Sequence, residues 1–305
     1  MDSFKNIIQN LKELPLSDFP IESIKNHLKE LGGFGATAII LPIGKIIVRA
    51  RLNKPYETFD SVAELSFKPS ICNTSFQRAS TPKNTMFYGC IIPNEAIMED
   101  RLMANITAFY ETSNMVRNKI ENGEEKLTLC RWKVTKDIPL IAIVYHKDFI
   151  NNSAITKELF EAYQKSLIQY NNEQDIIRYN TITEYLASEF AKTETPNEYD
   201  YLISALFTEM ILLKNFAGVY YPSSRTEGKG FNVVIQPKVV ENFMIPIDAS
   251  EYTVYRKDGA IYFDIESIAK IGIGQTKFNY TTVTDPLYHK GRENSYKILS
   301  GEIKL

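Results

Sequence analysis

Cysteine, histidine and tryptophan are scarce in this chain, at three, three and one among 305 residues. Cys72, Cys90 and Cys130 are odd in number and far apart, which excludes a disulfide framework and a zinc site of C-x-x-C spacing. Each lies in an apolar or strand-like stretch, so each is read as a small buried hydrophobe of a reducing compartment. His27, His146 and His289 fall in an amphipathic helix, after an apolar strand and in a polar loop. With no G-x-S-x-G turn beside them, a hydrolase built on a Ser-His-Asp or Cys-His pair is not indicated. Excess charge of one sign is missing too: 35 basic and 37 acidic residues leave a net charge of -2. No global footprint for a nucleic-acid backbone or an anionic membrane follows, and any anionic ligand has to be met by local arginines. Long hydrophobic runs are absent, since "ATAIILPIGKIIV" is broken by Pro42, Gly44 and Lys45, and "MDSFKNIIQNLKEL" reads as a helix rather than a signal peptide. A cytoplasmic protein without a membrane span is expected. The glycine-rich "GGFG" and "GIGIG" match neither a P-loop nor a dinucleotide turn.

What is present is the composition of a globular protein, with 44% hydrophobic and 24% charged residues. Phe4, Ile7, Ile8 and Leu11, then Ile21, Ile24, Leu28 and Leu31, recur at helical spacing and predict two short amphipathic helices. From residue 38 the stretches "AIILPIGKIIVRAR", "MFYGCII", "KLTLCRWKV" and "PLIAIVY" are rich in β-branched and aromatic residues and predict strands. A helix carrying Ile106, Phe109, Tyr110, Ser113 and Val116 is expected between the second and third of these. Residues 155–214 read as helical, "GVYYP" and "FNVVIQP" return to strands around the turn "EGKG", and the last sixty residues look mainly β. The expected division is an N-terminal helical segment 1–34, a central domain 35–240 with a helical insertion at about 150–214, and a mainly β extension 241–305 packed on the same domain.

Several polar residues stand inside apolar contexts. Arg49 and Arg51 are two apart in "IIVRARLN" and so share one face of a strand. Arg78 lies in "SFQRAS", Tyr88 in "MFYGC", Glu111 in "ITAFYETS", and Ser223 and Ser224 follow "VYYP" on an expected rim, with Asn232 beyond the turn. A charge in an apolar segment costs several kcal/mol unless partnered, so these groups must meet one another, water or a ligand. An internal Arg/Glu network that ties sheet to helices satisfies that demand as well as a ligand does.

The ordered set "VRAR … QRAS … MFYGC … ITAFYETS … VYYPSSRTEGKGFN", over about residues 35–240, resembles the RES family. That family carries, in the same order, an R-x-R-like strand, a G-R-x-N turn, a tyrosine-bearing strand, a glutamate-bearing helix and a Y-x-S followed by G-x-N. The resemblance implies an α/β (α+β type) fold similar to the diphtheria-toxin-like ADP-ribosyltransferases, with a central sheet, flanking helices and the helical insertion. It also implies consumption of NAD+ without a metal, with inorganic phosphate as a co-substrate in some members. Others are described as ADP-ribosyltransferases, and members are commonly toxins paired with an Xre-type antitoxin. Carried onto this sequence, Glu111, Arg78 and Ser223 are the catalytic candidates, and Arg49, Tyr88, Arg78 and Ser223 the candidates for holding NAD+. Arg51 is the alternative to Arg49, and Ser224 to Ser223. Arg225 is a further phosphate candidate, and Glu99 stands at the shorter spacing from the tyrosine. The turn departs from the pattern, with Gln77 for the glycine and Ser80 for the asparagine. A catalytically inactive relative that binds nucleotide or a protein, and a homo-oligomer, stay open at this level.

Overall fold

The computed structural model describes residues 3–32, 37–117, 122–143, 145–169 and 172–299. It is mixed α/β with mostly antiparallel strand pairing, and its contacts divide the chain into two units. Residues 1–41, 68–88 and 137–240 form the first, and residues 42–67, 89–136 and 241–305 the second. The chain therefore crosses between units several times rather than completing one segment after another.

In the first unit, helices α1 (Ser3–Glu13) and α2 (Ile21–Leu31) bury the apolar stripes expected of them, Phe4, Ile8 and Leu11 in one and Ile24, Leu28 and Leu31 in the other. Strand β1 (Thr37–Leu41) follows. The apolar run ends at Pro42 and Gly44, where the chain turns into β2 (Ile46–Leu52), a strand of the second unit. Strand β3 (Phe87–Ile91) begins in the first unit and ends in the second. Helices α3 (Met98–Thr112) and α4 (Asn114–Arg117) and the long strand β4 (Gly123–Val134) belong to the second unit, and β5 (Ile138–Ala142) returns to the first.

The predicted helical stretch is α5 (Ala154–Leu167), α6 (Glu173–Ala191) and α7 (Leu202–Leu212). Their starts are set locally: Ser153 and Thr156 form a capping box for α5, and the Asn172 side chain accepts from the Gln174 N–H at α6. Strands β6 (Gly218–Pro222) and β7 (Phe231–Ile235) pair antiparallel, with Tyr221 opposite Asn232, and β5 runs parallel to β6. The order in this unit is β1-β5-β6-β7. Helices α1, α2, α6 and α7 share one core with β5, β6 and β7 through residues such as Leu11, Leu28, Phe190, Leu206, Val219 and Val234. The N-terminal helices and the helical stretch, expected as a separate segment and an insertion, thus supply most of this unit's core. Each fully buried Leu or Phe contributes roughly 2 kcal/mol.

The second unit has the order β3-β2-β4-β8-β9-β10, where β8 is Met244–Lys257, β9 Ala260–Lys270 and β10 Thr281–Thr282. Helix α8 (Pro237–Phe243) leads into β8, and α9 (Lys290–Leu299) ends the described chain. The β8–β9 hairpin turns at Asp258 and Gly259, with φ of 48° and 89°, the left-handed pair that a two-residue turn requires. Helix α3 covers one face of this sheet: Ala104, Ala108 and Phe109 pack with Val48, Cys90, Leu127 and Leu129. The buried Asp264 carboxylate accepts the N–H groups of Gly291 (2.6 Å) and Arg292 (2.9 Å) at the start of α9 and holds that helix on β9.

One expectation fails outright. Cys72 is exposed, because it ends a single 3-10 turn (Ser70–Cys72) beside the equally exposed Ile71, whereas Cys90 and Cys130 are buried in strands as predicted.

At Gly218 a side chain has no room: a Cβ would stand 1.8 Å from the Val234 carbonyl oxygen across the β6–β7 ladder. Gly218→Ala is expected to cost about 3 kcal/mol, as overpacking against backbone does. Urea unfolding that leaves the midpoint unchanged would contradict this packing.

Candidate functional site

Alternation along β2 decides where the first arginine points. Ile46, Val48 and Ala50 pack toward α3, so Arg49 and Arg51 project from the opposite face. Arg51 lies over the Phe59 ring, 4.2 Å from its centroid, and donates to the Glu64 carbonyl. Arg49 is partly buried, opposite Cys130 of β4. Of the two, Arg51 is engaged by the neighbouring 56–65 segment.

Glu111 occupies the last turn of α3, seven, four and three residues after Ala104, Thr107 and Ala108, all of which are buried. It therefore continues the stripe of α3 that faces the sheet, and it is half-buried. Glu99 sits in the first turn and is exposed, about 18 Å away along the helix axis. Burial pushes the Cys90 thiol well above its ordinary pKa; the Glu111 carboxylate adds to the rise and the Arg49 guanidinium opposes it. Glu111 and Arg49 are thus both felt at Cys90, while projecting toward opposite faces of the second unit's sheet. Just past Glu111, the buried Ser113 hydroxyl donates to the Glu125 carboxylate and accepts from the Val116 N–H at 2.9 Å. Glu125, a second carboxylate at this helix end, went unremarked because it lies in the charged stretch Glu124-Glu125-Lys126, which reads as a solvated strand end.

Arg78 belongs to the turn Gln77–Ser80, closed by backbone hydrogen bonds between those two residues. Its guanidinium donates to the carbonyls of Phe190 (2.6 Å), Lys192 (2.7 Å) and Glu189 (3.4 Å) at the end of α6, where backbone carbonyls run out of intrahelical donors. It also lies over the Tyr201 ring, 5.3 Å from the centroid. Tyr88 is tied to the same turn: its hydroxyl accepts from the Ala79 N–H (3.0 Å) and bonds Ser80 Oγ (2.8 Å). Burial of that hydroxyl pushes its pKa up to about 12, and the Ser80 and Ala79 bonds restrain the rise. Ser80 is thus a polar partner of the tyrosine hydroxyl.

The expected rim of serines divides in two. Ser223 is fully buried, its N–H bonded to the Gly230 carbonyl (2.8 Å) and its carbonyl accepting from the Gly228 N–H (2.8 Å), while Ser224 and Arg225 are half-exposed. Ser223 is interior because both backbone groups close the turn; Ser224 is the rim residue. Asn232 is also buried, opposite Tyr221. The turn is held from the side by the 146–153 segment, where Asn152 donates to the Glu227 carbonyl (2.7 Å) and the Phe149 ring packs under Gly228.

No protein-family model and no curated protein matches the chain. Among the described residues no cluster of three or more His, Cys, Asp or Glu side chains is arranged to hold a metal ion, and no helix is long and apolar enough to cross a membrane.

The carbonyl contacts give Arg78 a measurable structural role. Arg78→Lys keeps the charge but not the fork, and is expected to lower stability by about 2 kcal/mol, the scale of charged hydrogen bonds. A lysine variant with unchanged denaturant midpoint would show that the guanidinium is not what holds the end of α6.

Proposed function

We propose that the chain is an NAD+-degrading enzyme that releases nicotinamide, with Glu111 as its central carboxylate. The observation that carries this reading is the position of Glu111: half-buried, three and four residues after the buried Ala108 and Thr107 on the sheet-facing stripe of α3. Glu99, the alternative, is an ordinary exposed first-turn acid.

In this reading the bond between ribose C1′ and the nicotinamide nitrogen breaks, and its electron pair leaves with neutral nicotinamide. The ribose passes through an oxocarbenium-like state, which a nearby carboxylate stabilises. An oxygen of water or inorganic phosphate then bonds to C1′, giving ADP-ribose or its 1″-phosphate, and the proton of an attacking water passes to solvent. The RES resemblance assigns Tyr88 and Arg49 to NAD+ as well, but Arg49 leaves the sheet on the face opposite Glu111, so this reading rests on Glu111 alone. Within the first unit Ser224 is more exposed than Ser223, and Arg78 holds the end of α6 from the turn that Tyr88 braces. The wider proposal, resting on the RES resemblance, is a cytoplasmic toxin or defence effector restrained by an Xre-type antitoxin, in an ADP-ribosyltransferase-like fold. The use of Arg78 as a helix cap favours one second reading, a relative that binds NAD+ without turning it over.

The test is nicotinamide release from NAD+ by the purified chain, with and without inorganic phosphate. Glu111→Gln is expected to reduce release about 100-fold or more, the loss typical of a group that stabilises transition-state charge, and Glu99→Gln to leave it unchanged. Phosphate dependence separates phosphorolysis from hydrolysis, and label from NAD+ appearing on protein would indicate ADP-ribosyl transfer. Binding of NAD+ with no release under any condition would replace the enzyme reading by the second one.

A further inference from the structure

A cleft of about 400 Å3 opens in the first unit, between the 79–86 turn, the second half of α7 and the start of α8. The volume is within the roughly 300–1,000 Å3 range of small-molecule sites. Its floor is apolar, formed by Ala79, Met86 and Ala205, which are 3%, 4% and 1% exposed, and Leu213, 82% exposed, stands at its lip.

The polar wall is already internally satisfied. One Glu209 carboxylate oxygen accepts from Lys25 Nζ at 3.1 Å and the other from the Thr81 hydroxyl at 3.1 Å, which itself accepts from Asn84 Nδ2 at 2.9 Å. The Glu209 charge is thereby balanced by Lys25. Lys83, on the rim, has no ion-pair partner among the described residues. One uncompensated positive charge is left beside an apolar floor.

The turn that carries Lys83 is rigidly built. Its N–H donates to the Asn73 carbonyl at 2.7 Å, and the buried Asn73 side chain donates to the Thr81 carbonyl at 2.8 Å. Lys83 is held at φ 66°, a left-handed conformation in which glycine would be the unstrained choice. A lysine therefore occupies this position against its backbone preference, on the lip of a cavity.

We propose that this cleft binds a small organic anion, a carboxylate or phosphate ester with an apolar body, whose charge meets Lys83 and whose body lies on Met86 and Ala205. The site does not depend on the Glu111 reading, although Ala79 of its floor belongs to the turn that Arg78 and Tyr88 hold.

The probes are benzoate and phenyl phosphate, with benzamide as a body without charge and inorganic phosphate as a charge without body, titrated by NMR into the full chain. At least one of the two aromatic anions is expected to bind about fivefold or more tightly than both controls, and the tighter of the two identifies carboxylate or phosphate as the preferred head group. Lys83→Gly removes the ammonium while easing the backbone, so its fold should be retained and its affinity for that anion should fall about fivefold or more. Leu213→Glu, on the exposed lip, should weaken it in the same direction. Absence of binding by both aromatic anions at millimolar concentration, equal binding of benzamide, or affinity unchanged in a folded Lys83→Gly protein would each overturn the proposal.

Discussion

The last carbonyls of a helix need donors, and inside a protein water cannot always supply them. In this chain arginines from distant elements do so repeatedly. Arg78 serves the end of α6, Arg178 donates to the Leu31 carbonyl at the end of α2, and the buried Arg256 reaches the carbonyls of Met115 (3.2 Å) and Val116 in α4. The forked, permanently charged guanidinium suits a cluster of carbonyls that also carries the negative end of the helix dipole. Asp264 applies the mirror-image rule to the positive end of α9. Helix placement in each unit therefore depends on long-range contacts between one charged side chain and one helix terminus.

This explains which parts of the fold were legible in the sequence. Apolar periodicity is local, so α1 and α2 and the β6–β7 hairpin could be read from neighbouring residues. Helix capping by Arg178 or Arg256 is not local: the partners are 147 and 140 or more residues apart, and nothing near either arginine announces them. The same holds for the division into units, because strands adjacent in a unit, such as β4 and β8, are brought together only by the complete fold. Cys72 failed for the opposite reason, since an apolar neighbour such as Ile71 signals burial in a strand but not in a surface turn.

The candidate site shows the same mixture. A lone carboxylate on an apolar helix stripe is visible in the order of residues around Glu111, and Glu111 is half-buried where Glu99 is exposed. That Arg49 leaves the face to which α3 packs follows only from the β2–β3 and β2–β4 registers, which pairing and not composition defines. The burial of Ser223 depends on the turn closing through its backbone, again a property of pairing. An arginine in an apolar context has two equally physical explanations, a ligand or a helix end, and Arg78 shows that sequence alone does not separate them.

The contact of Phe149 with Gly228, with the nearby Asn152–Glu227 hydrogen bond, ties the helical stretch to the hairpin it precedes. The segment that opens the helical stretch is moulded to the turn after β6, and α6 and α7 fill the core beneath the same strands. Removing residues 150–214 would expose that core and leave the hairpin without its lateral support. The helical stretch and the hairpin therefore share one core and are expected to fold as a single cooperative unit.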